Sequence, residues 1–218
     1  MEICTVGGYA EVGKNMTAVK VGDDVVVIDM GFFLPKLIDF EEEGGDRKTI
    51  TSDVLMKMGA IPNDKVVDSW KKLTKAIVLS HCHLDHIGAA PYLANGYNCP
   101  VIGTPYTVEV LRNMIKEDEL HMRNEIKPLN PNSSFKVSKN MEVELINMTH
   151  STPQTAMIAV HTKEGVILYA NDFKFDNHPV IGKKPNMKRL KQIGQKGVKA
   201  LVVDSLYAAD ERKTPSEK

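Results

Sequence analysis

The sequence is poor in cysteine, in aromatic residues and in excess charge of either sign. Three cysteines among 218 residues cannot form a disulfide framework, and Cys4, Cys82 and Cys99 lack the spacing of a cysteine metal site. Basic and acidic side chains balance at 28 each, which excludes a strongly basic or acidic protein overall but leaves room for local charged surfaces. We therefore expect a soluble globular chain in a reducing, cytoplasmic compartment.

Long hydrophobic runs are absent as well. No apolar stretch of the sequence approaches the roughly 20 residues that cross a bilayer, so we expect no membrane association. The first residues also lack the charged and apolar regions of a signal peptide. A hydrophobic content of 42% is nevertheless sufficient for a substantial core.

What the chain does contain is a dense group of potential metal ligands in residues 75–88, K-A-I-V-L-S-H-C-H-L-D-H-I-G. An apolar run of strand character leads to His81 and His83, and alternate residues of an extended chain point the same way. Both imidazoles can therefore converge on one cation. Asp85 and His86 follow at a turn into a predicted helix, where they can reach a second cation. Zinc accepts imidazole and carboxylate ligands, so the pattern predicts a catalytic metal site with an open position.

Other predicted strands also end in polar residues. The continuous apolar run Val25–Ile28 is typical of a strand covered on both faces and ends at Asp29. Later strands end at His150, at Asp172 and at Asp204. If these ends share one edge of a layered α/β fold, their side chains meet in one cleft. His150 is then the expected third histidine of the first metal, and Asp172 the carboxylate that bridges two cations.

Two features leave alternatives open. Asp29 is either a turn-capping aspartate or a group that orients metal ligands. The basic residues of 188–199, on and just beyond a predicted helix at Asn186–Gly194, form either a solvated face, which we favour, or an RNA-backbone contact. Phe32–Pro35 is predicted to be an exposed apolar exit and Glu41–Gly45 a solvated acidic loop. Residues 121–140 are predicted to be a connection with one short strand at 134–137.

With these residues identified, the chain resembles the metallo-β-lactamase superfamily, whose hallmark is H-x-H-x-D-H. Within it, the chain is most similar to the β-CASP ribonuclease J family of archaeal type. The motifs that support this narrower resemblance are Gly7-Gly8, Glu11–Met16, Val25–Gly31, His81–Gly88, His150–Pro153, Asp172–Asp176, Asp204-Ser205 and Thr214–Glu217.

The resemblance implies an α/β fold, the metallo-β-lactamase αββα sandwich, in incomplete form. Residues 1–205 are expected to be its N-terminal part, and residues 206–218 the start of a linker into a β-CASP domain. That domain, the rest of the fold and a further histidine of the second metal site are expected beyond Lys218.

The resemblance also implies roles for the site residues. His81, His83 and His150 are implied to hold one zinc ion. Asp85 and His86 are implied to hold the other, with Asp172 bridging the two ions. Asp29 is implied to support the ligands, and Asp204 to belong to the acidic motif that opens the β-CASP region.

The implied function is a zinc-dependent ribonuclease, with manganese as a second choice of metal and a homodimer as the expected assembly. A hydroxide shared by the two metals is expected to attack an RNA phosphodiester, from the 5′ end and in some members also internally. Residues 1–218 by themselves need not be active. Two alternatives stay open, which are a hydrolase of a small ester, thioester or lactam on the same fold and a non-catalytic metal-binding partner subunit.

Overall fold

The computed structural model describes residues 1–211 and 214–216, and within them the strands form two mixed sheets. The strands are β1 Glu2–Gly7, β2 Met16–Val21, β3 Asp24–Ile28, β4 Thr74–Val78, β5 Val101–Gly103, β6 Ile126–Pro128, β7 Ser133–Lys136, β8 Met141–Asn147, β9 Ala156–Thr162, β10 Gly165–Ala170 and β11 Val198–Val203. The first sheet has the order β1-β2-β3-β4-β5-β6, and the second has the order β11-β10-β9-β8-β7. Strands β3 to β6 run parallel to one another, whereas β7 to β10 are antiparallel and β11 runs parallel to β10.

Helices cover the outer face of each sheet. The α-helices are α1 Leu34–Glu42, α2 Ser52–Met58, α3 Asp68–Lys71, α4 Leu84–Ile87, α5 Ala90–Leu93, α6 Pro105–Glu117 and α7 Met187–Lys196. Leu37 of α1, Leu55 of α2 and Leu111 of α6 pack in the apolar cluster on the outer face of the first sheet. Ile193 of α7 packs on the outer face of the second sheet. A separate apolar cluster fills the space between the sheets. The layers are therefore α, β, β, α, and the predicted sandwich is confirmed.

Strand β3 shows why its sequence is apolar without interruption. Val25 and Val27 pack toward the helices outside the first sheet, whereas Val26 and Ile28 pack between the two sheets. Successive side chains of a strand point to opposite faces, so a strand buried on both faces needs an apolar residue at every position. The interpretation of Val25–Ile28 is confirmed.

Two predictions of irregular structure were wrong. Phe32 is not exposed but has 1% of its surface accessible. Helix α1 begins within the predicted exit, at Leu34, and extends to Glu42, so it includes the first two residues of the predicted loop Glu41–Gly45. Pro35 lies in the first turn of α1, where proline's fixed φ favours helix formation and its missing N–H costs nothing. Residues 126–128, predicted to be part of a connection, form β6 because they pair in parallel with β5 at the sheet edge.

Among the described C-terminal residues, 204–211 and 214–216 belong to no strand of either sheet. Of the predicted linker 206–218, residues 212, 213, 217 and 218 fall outside the described part of the chain, as does part of the Thr214–Glu217 motif. Among the residues that the structure describes, no helix has both the length and the apolar composition needed to cross a bilayer.

The segment that follows β3 binds closely along α4. The backbone N–H groups of Met30 and Phe32 donate to the carbonyl oxygens of His86 and Leu84, at 2.7 and 2.9 Å. Gly31 lies between them, and a Cβ atom there would overlap the backbone of Asp85. The close approach therefore requires glycine at this position.

We predict that Gly31→Ala lowers the free energy of unfolding by about 1–3 kcal/mol or more, because the new methyl group overpacks a backbone contact. Urea denaturation would measure the change. Gly194→Ala is the matched control, since a Cβ in α7 has nothing within 4 Å and alanine is about 0.8–1.0 kcal/mol more favourable than glycine in a helix. Equal stability of the two variants would contradict the close approach of Gly31 to α4.

Helix α7 is attached to the second sheet by a buried ionic contact. Glu144 on β8 is 6% exposed and accepts hydrogen bonds from Arg189 Nε at 2.6 Å and from His161 Nε2 at 2.8 Å. Burial by itself raises the pKa of Glu144, but the hydrogen bonds from Arg189 and His161 outweigh burial and hold the pKa below its usual 4.5. The carboxylate is therefore stabilised in its charged form by folding.

We predict that Glu144→Gln lowers the free energy of unfolding by about 1.5–3 kcal/mol near neutral pH, because Arg189 loses a charged acceptor. The pKa of Glu144 is lower in the folded state, so its contribution is complete above the usual 4.5 and is lost as the pH falls through the folded value. Urea denaturation at a series of pH values should show wild type and variant converging in acid. Glu109→Gln, at an exposed position, is the control. If the difference in free energy of unfolding between wild type and Glu144→Gln grew toward low pH, this linkage would be ruled out.

Candidate metal centre

The predicted ligands lie together where strands of the two sheets end. Strand β4 leads to the first two histidines, α4 carries the next aspartate and histidine, and β8 and β10 lead to the remaining two residues. Strands β8 and β10 are both antiparallel to β9, so their ends reach the same edge of the second sheet. Two groups of side chains with atoms close enough to share a cation result, namely His81, His83, His150 and Asp172, and Asp85, His86 and Asp172.

The first group is built from three imidazoles and one carboxylate. His83 Nδ1 lies 3.0 Å from His81 Nε2 and 3.2 Å from His150 Nε2. Asp172 Oδ2 lies 3.6 Å from His81 Nε2 and 3.4 Å from His150 Nε2. Four potential ligand atoms therefore face one point.

The second group shares an oxygen atom with the first. His86 Nε2 lies 3.4 Å from Asp85 Oδ2 and 3.6 Å from Asp172 Oδ2. The same Oδ2 atom of Asp172 therefore borders both groups, as expected of a carboxylate that bridges two cations.

The spacing of these atoms fits a divalent metal ion. Metal–nitrogen distances of about 2.0–2.1 Å in a tetrahedral site place neighbouring ligand atoms about 3.3 Å apart. Four of the six pairs of ligand atoms in the first group are separated by 3.0 to 3.6 Å, and all lie within 4.8 Å of one another. Imidazole and carboxylate donors without thiolate are also the chemistry that such ions accept. The residues present therefore fit a metal centre.

Asp29 lies behind the ligands as a fully buried carboxylate. Its Oδ1 accepts from the Ser80 N–H at 2.7 Å, and its Oδ2 accepts from His86 Nδ1 at 2.8 Å and from Tyr169 OH at 3.1 Å. The residue has a φ of 58°, a conformation that costs energy outside glycine. Of the two interpretations of Asp29, the contact with His86 favours the group that orients a ligand.

The hydrogen bonds assign the protons of two imidazoles. In its neutral form, His86 carries its proton on Nδ1 to donate to Asp29, which leaves Nε2 without a proton and directed toward Asp85 and Asp172. Ser80 Oγ donates to Asp29 at 2.8 Å and therefore accepts from His81 Nδ1 at 3.0 Å. In both rings the nitrogen that faces the ligand group is thus free to bind a cation.

Burial and neighbouring charges shift the pKa values of the ligands in different directions. Burial holds the pKa of His81 well below its usual value, and the nearby His86 lowers it further. Burial also lowers the pKa of His86, but the carboxylates of Asp29, Asp172 and Asp85 together outweigh it and raise the pKa well above its usual value. Burial raises the pKa of Asp172, yet the neighbouring imidazoles of His150, His86 and His81 outweigh it and lower the pKa. The field at His86 therefore favours positive charge, whether a proton or a metal ion.

Sequence reasoning assigned no role to Asn15, which lies in the turn before β2. Its Nδ2 donates to the Asp85 carbonyl oxygen at 2.9 Å and lies 3.1 Å from His86 Nε2. The preceding Lys14 has a φ of 56°. The only indication in the sequence would have been a left-handed turn within the motif Glu11–Met16, because such a turn directs the side-chain amide of Asn15 toward α4.

Asp204 lies at the rim of the site rather than among the ligands. It lines a cavity of about 230 Å³ together with Asp85, Asn171 and Asp172. Its carboxylate accepts from the Leu206 N–H at 2.9 Å. Its predicted role in supporting the site stays a prediction.

Residues 10–202 match the metallo-β-lactamase superfamily, and the chain belongs to that superfamily. A structure of a protein of unknown function from Enterococcus faecalis shares the fold, with a TM-score of 0.68 at 18% identity over 98% of this chain and 52% of that one.

More similar sequences are ribonucleases J. The chain is 43% identical over 218 residues to ribonuclease J of Methanocaldococcus jannaschii, covering 100% of this chain and 48% of that protein. Identity to ribonuclease J of Pyrococcus abyssi is 43% over 219 residues, with the same coverage of 100% and 48%. Ribonuclease J 1 of Streptococcus pyogenes is 31% identical over 217 residues, covering 99% of this chain and 36% of the relative. The chain therefore spans about half the length of the first two relatives and 36% of the length of the third.

We predict that Asp85→Asn and Asp172→Asn affect metal binding differently. Asp85 belongs to one ligand group, so its replacement should weaken one binding event by at least about 10–100-fold, whereas replacing the shared Asp172 should weaken two. Titration with Co²⁺ followed by absorbance would separate the events. Asp53→Asn, on the exposed side of α2, should change neither, and equal effects of Asp85→Asn on both events would refute the division into two groups.

Proposed function

We propose that the protein is a zinc-dependent ribonuclease that hydrolyses phosphodiester bonds in RNA. The observation that carries the proposal is the Oδ2 atom of Asp172, which lies 3.4 Å from His150 Nε2 in one ligand group and 3.6 Å from His86 Nε2 in the other. Two cations held about 3.5–4 Å apart by a shared carboxylate are typical of enzymes that cleave phosphate esters. The 43% identity to relatives named ribonuclease J supports RNA as the substrate.

The ligand residues suit zinc, and manganese is the second choice. His81, His83 and His150 would hold one ion, Asp85 and His86 the other, and Asp172 both. When bound, such ions lower the pKa of water to about 7 and neutralise charge that develops on phosphate oxygens. The absence of a thiolate from the group is compatible with either metal.

The protein's own residues orient the ligands and hold their protons. Asp29 accepts the Nδ1 proton of His86 and so keeps Nε2 available, and Ser80 does the same for His81 by accepting at Oγ. Asn171 Nδ2 donates to Tyr169 OH at 2.8 Å, which directs the hydroxyl proton to Asp29. Four donor groups from three buried residues, Ser80, His86 and Tyr169, thus satisfy this buried carboxylate and fix it in place.

The charge of the loaded site favours an anionic substrate. At the two ligand groups, two divalent ions would exceed the three carboxylates of Asp29, Asp85 and Asp172 by one positive charge, whereas Glu11 and Asp204 add negative charge to the lining of the cavity. A phosphodiester gains from that charge, whereas a neutral ester or thioester does not. We propose further that RNA is degraded from the 5′ end, and that residues 206–218 lead into a β-CASP domain.

We predict that His86→Ala and Asp85→Asn abolish metal at the second group and RNA cleavage together. The rate of RNA cleavage should fall by more than the decrease of about 10–100-fold that is typical when a residue supporting a ligand is replaced, because these side chains would contact the metal. Labelled 5′-phosphorylated RNA, metal analysis and circular dichroism would be measured on the full-length natural protein. His121→Ala, at an exposed position, is the matched control.

Two outcomes would contradict the proposal. Undiminished RNA cleavage by a folded His86→Ala protein that has lost metal would exclude the metal-dependent scheme. Hydrolysis of a thioester panel by a wild type that leaves RNA intact would assign the site to the small-substrate hydrolases instead.

A further inference from the structure

Positive charge is concentrated in one segment near the end of the chain. Residues 177–203 contain seven lysines and arginines and no aspartate or glutamate, although the whole chain carries 28 residues of each sign. Six of the seven are exposed lysines. We call these the α7 lysine surface, which consists of Lys183, Lys184, Lys188, Lys191, Lys196 and Lys199.

Three of these lysines lie on the helix that covers the second sheet. Lys188, Lys191 and Lys196 fall on the solvent side of α7 by helical spacing, opposite Leu190 and Ile193, which pack on the sheet. Lys199 is exposed at the start of β11, three residues beyond Lys196, at a register shift between β10 and β11. Positive charge therefore accumulates on and beside α7.

The six lysines differ from Arg189 in their ion pairs. Arg189, the seventh basic residue, is held by Glu144 at 2.6 Å, whereas none of the six lysines forms an ion pair within the described residues. Elsewhere lysines do find acidic partners, as Lys20 does with Glu2 at 2.9 Å and Lys71 with Asp64 at 3.0 Å. A surface with uncompensated positive charge attracts polyanions.

The backbone beneath the lysines is fixed to the sheet. Asn147 Nδ2 donates to the carbonyl oxygens of Lys183 and Lys184, at 3.1 and 3.0 Å. Asn186 caps α7 by accepting from the Arg189 N–H at 3.1 Å. Because the segment is held before any ligand binds, little backbone ordering remains to oppose binding.

The segment also begins at the metal centre. Asp172 is followed within three residues by Phe175, whose side chain is 62% exposed, and the chain then continues through the exposed His178 to Lys183. Lys174 N donates to Thr149 O at 2.7 Å, which holds the start of this path beside His150. Exposed aromatic rings next to basic residues are typical of surfaces on which unpaired bases stack.

We propose that the α7 lysine surface binds the phosphates of single-stranded RNA that extends beyond the metal centre, with Phe175 contacting a base on the way. The inference rests on the proposed function for the identity of the polyanion. The exposed ring and the direct chain connection to Asp172 favour RNA over an acidic protein partner. The surface would thereby give long RNA an advantage over short RNA.

The test compares two triple variants of the full-length protein, each losing three positive charges. K188Q/K191Q/K196Q removes charges of the α7 lysine surface, whereas K36Q/K57Q/K72Q removes exposed charges from elements on the first sheet. Binding of unstructured RNA of about 20 nucleotides would be followed by fluorescence anisotropy over a range of salt concentrations, with and without chelator. Each lost phosphate contact on a single strand reduces the salt slope by about 0.7, so the α7 variant should lose about 2 in slope and about 10- to 100-fold in affinity at about 0.1 M salt.

A second substrate separates this proposal from the proposed function. Cleavage of RNA of about four nucleotides, too short to reach α7, should be the same in wild type and both variants. Equal affinity and equal salt slope for the two triple variants would overturn the inference while leaving the ribonuclease proposal intact. If only the α7 variant shows a reduced salt slope and the wild type cleaves no RNA, RNA binding by the α7 lysine surface would be supported and the ribonuclease proposal would be rejected. Displacement of RNA by polyglutamate at equal charge concentration would assign the surface to an acidic protein and overturn the RNA assignment.

Discussion

The buried carboxylate of Asp29 is the interaction on which the site depends. An isolated buried charge is costly, and Asp29 is stabilised only because donors from both sheets reach it. Ser80 and His86 follow β4 in the first sheet, whereas Tyr169 lies on β10 in the second. The carboxylate thus links sheet packing to the orientation of a metal-ligand side chain, so the site can form only when the sandwich has closed.

The close contact between the segment after β3 and α4 meets the same requirement from the backbone side. Met30 and Phe32 bind α4 through N–H groups, while Asn15 holds the Asp85 carbonyl. These bonds fix a helix of only four residues, which has little stability of its own. Asp85 and His86 therefore owe their positions to tertiary contacts and not to the helix that carries them.

How far prediction succeeded depended on the distance along the chain between interacting residues. The closely spaced pattern of His81, His83, Asp85 and His86 is local, and the strand-end rule added His150 and Asp172 because β8 and β10 end at one edge. The contact of Tyr169 with Asp29 spans 140 residues and left no local signal. Helix α1 and strand β6 were missed because a proline in a first turn and a pairing at a sheet edge outweighed the polar composition of their surroundings.

The amino-acid sequence alone determined the layered α/β class, the burial of β3 on both faces and the chemical types of the ligands, since periodicity and residue chemistry are local properties. Tertiary structure decided that one oxygen of Asp172 borders both ligand groups and which nitrogen of His81 and of His86 faces them. It also decided that six exposed lysines on and beside α7 form no ion pair within the described residues. Those outcomes depend on how the sheets and α7 pack, because distances of a few ångströms between remote residues are set by the whole fold and not by any segment of the chain.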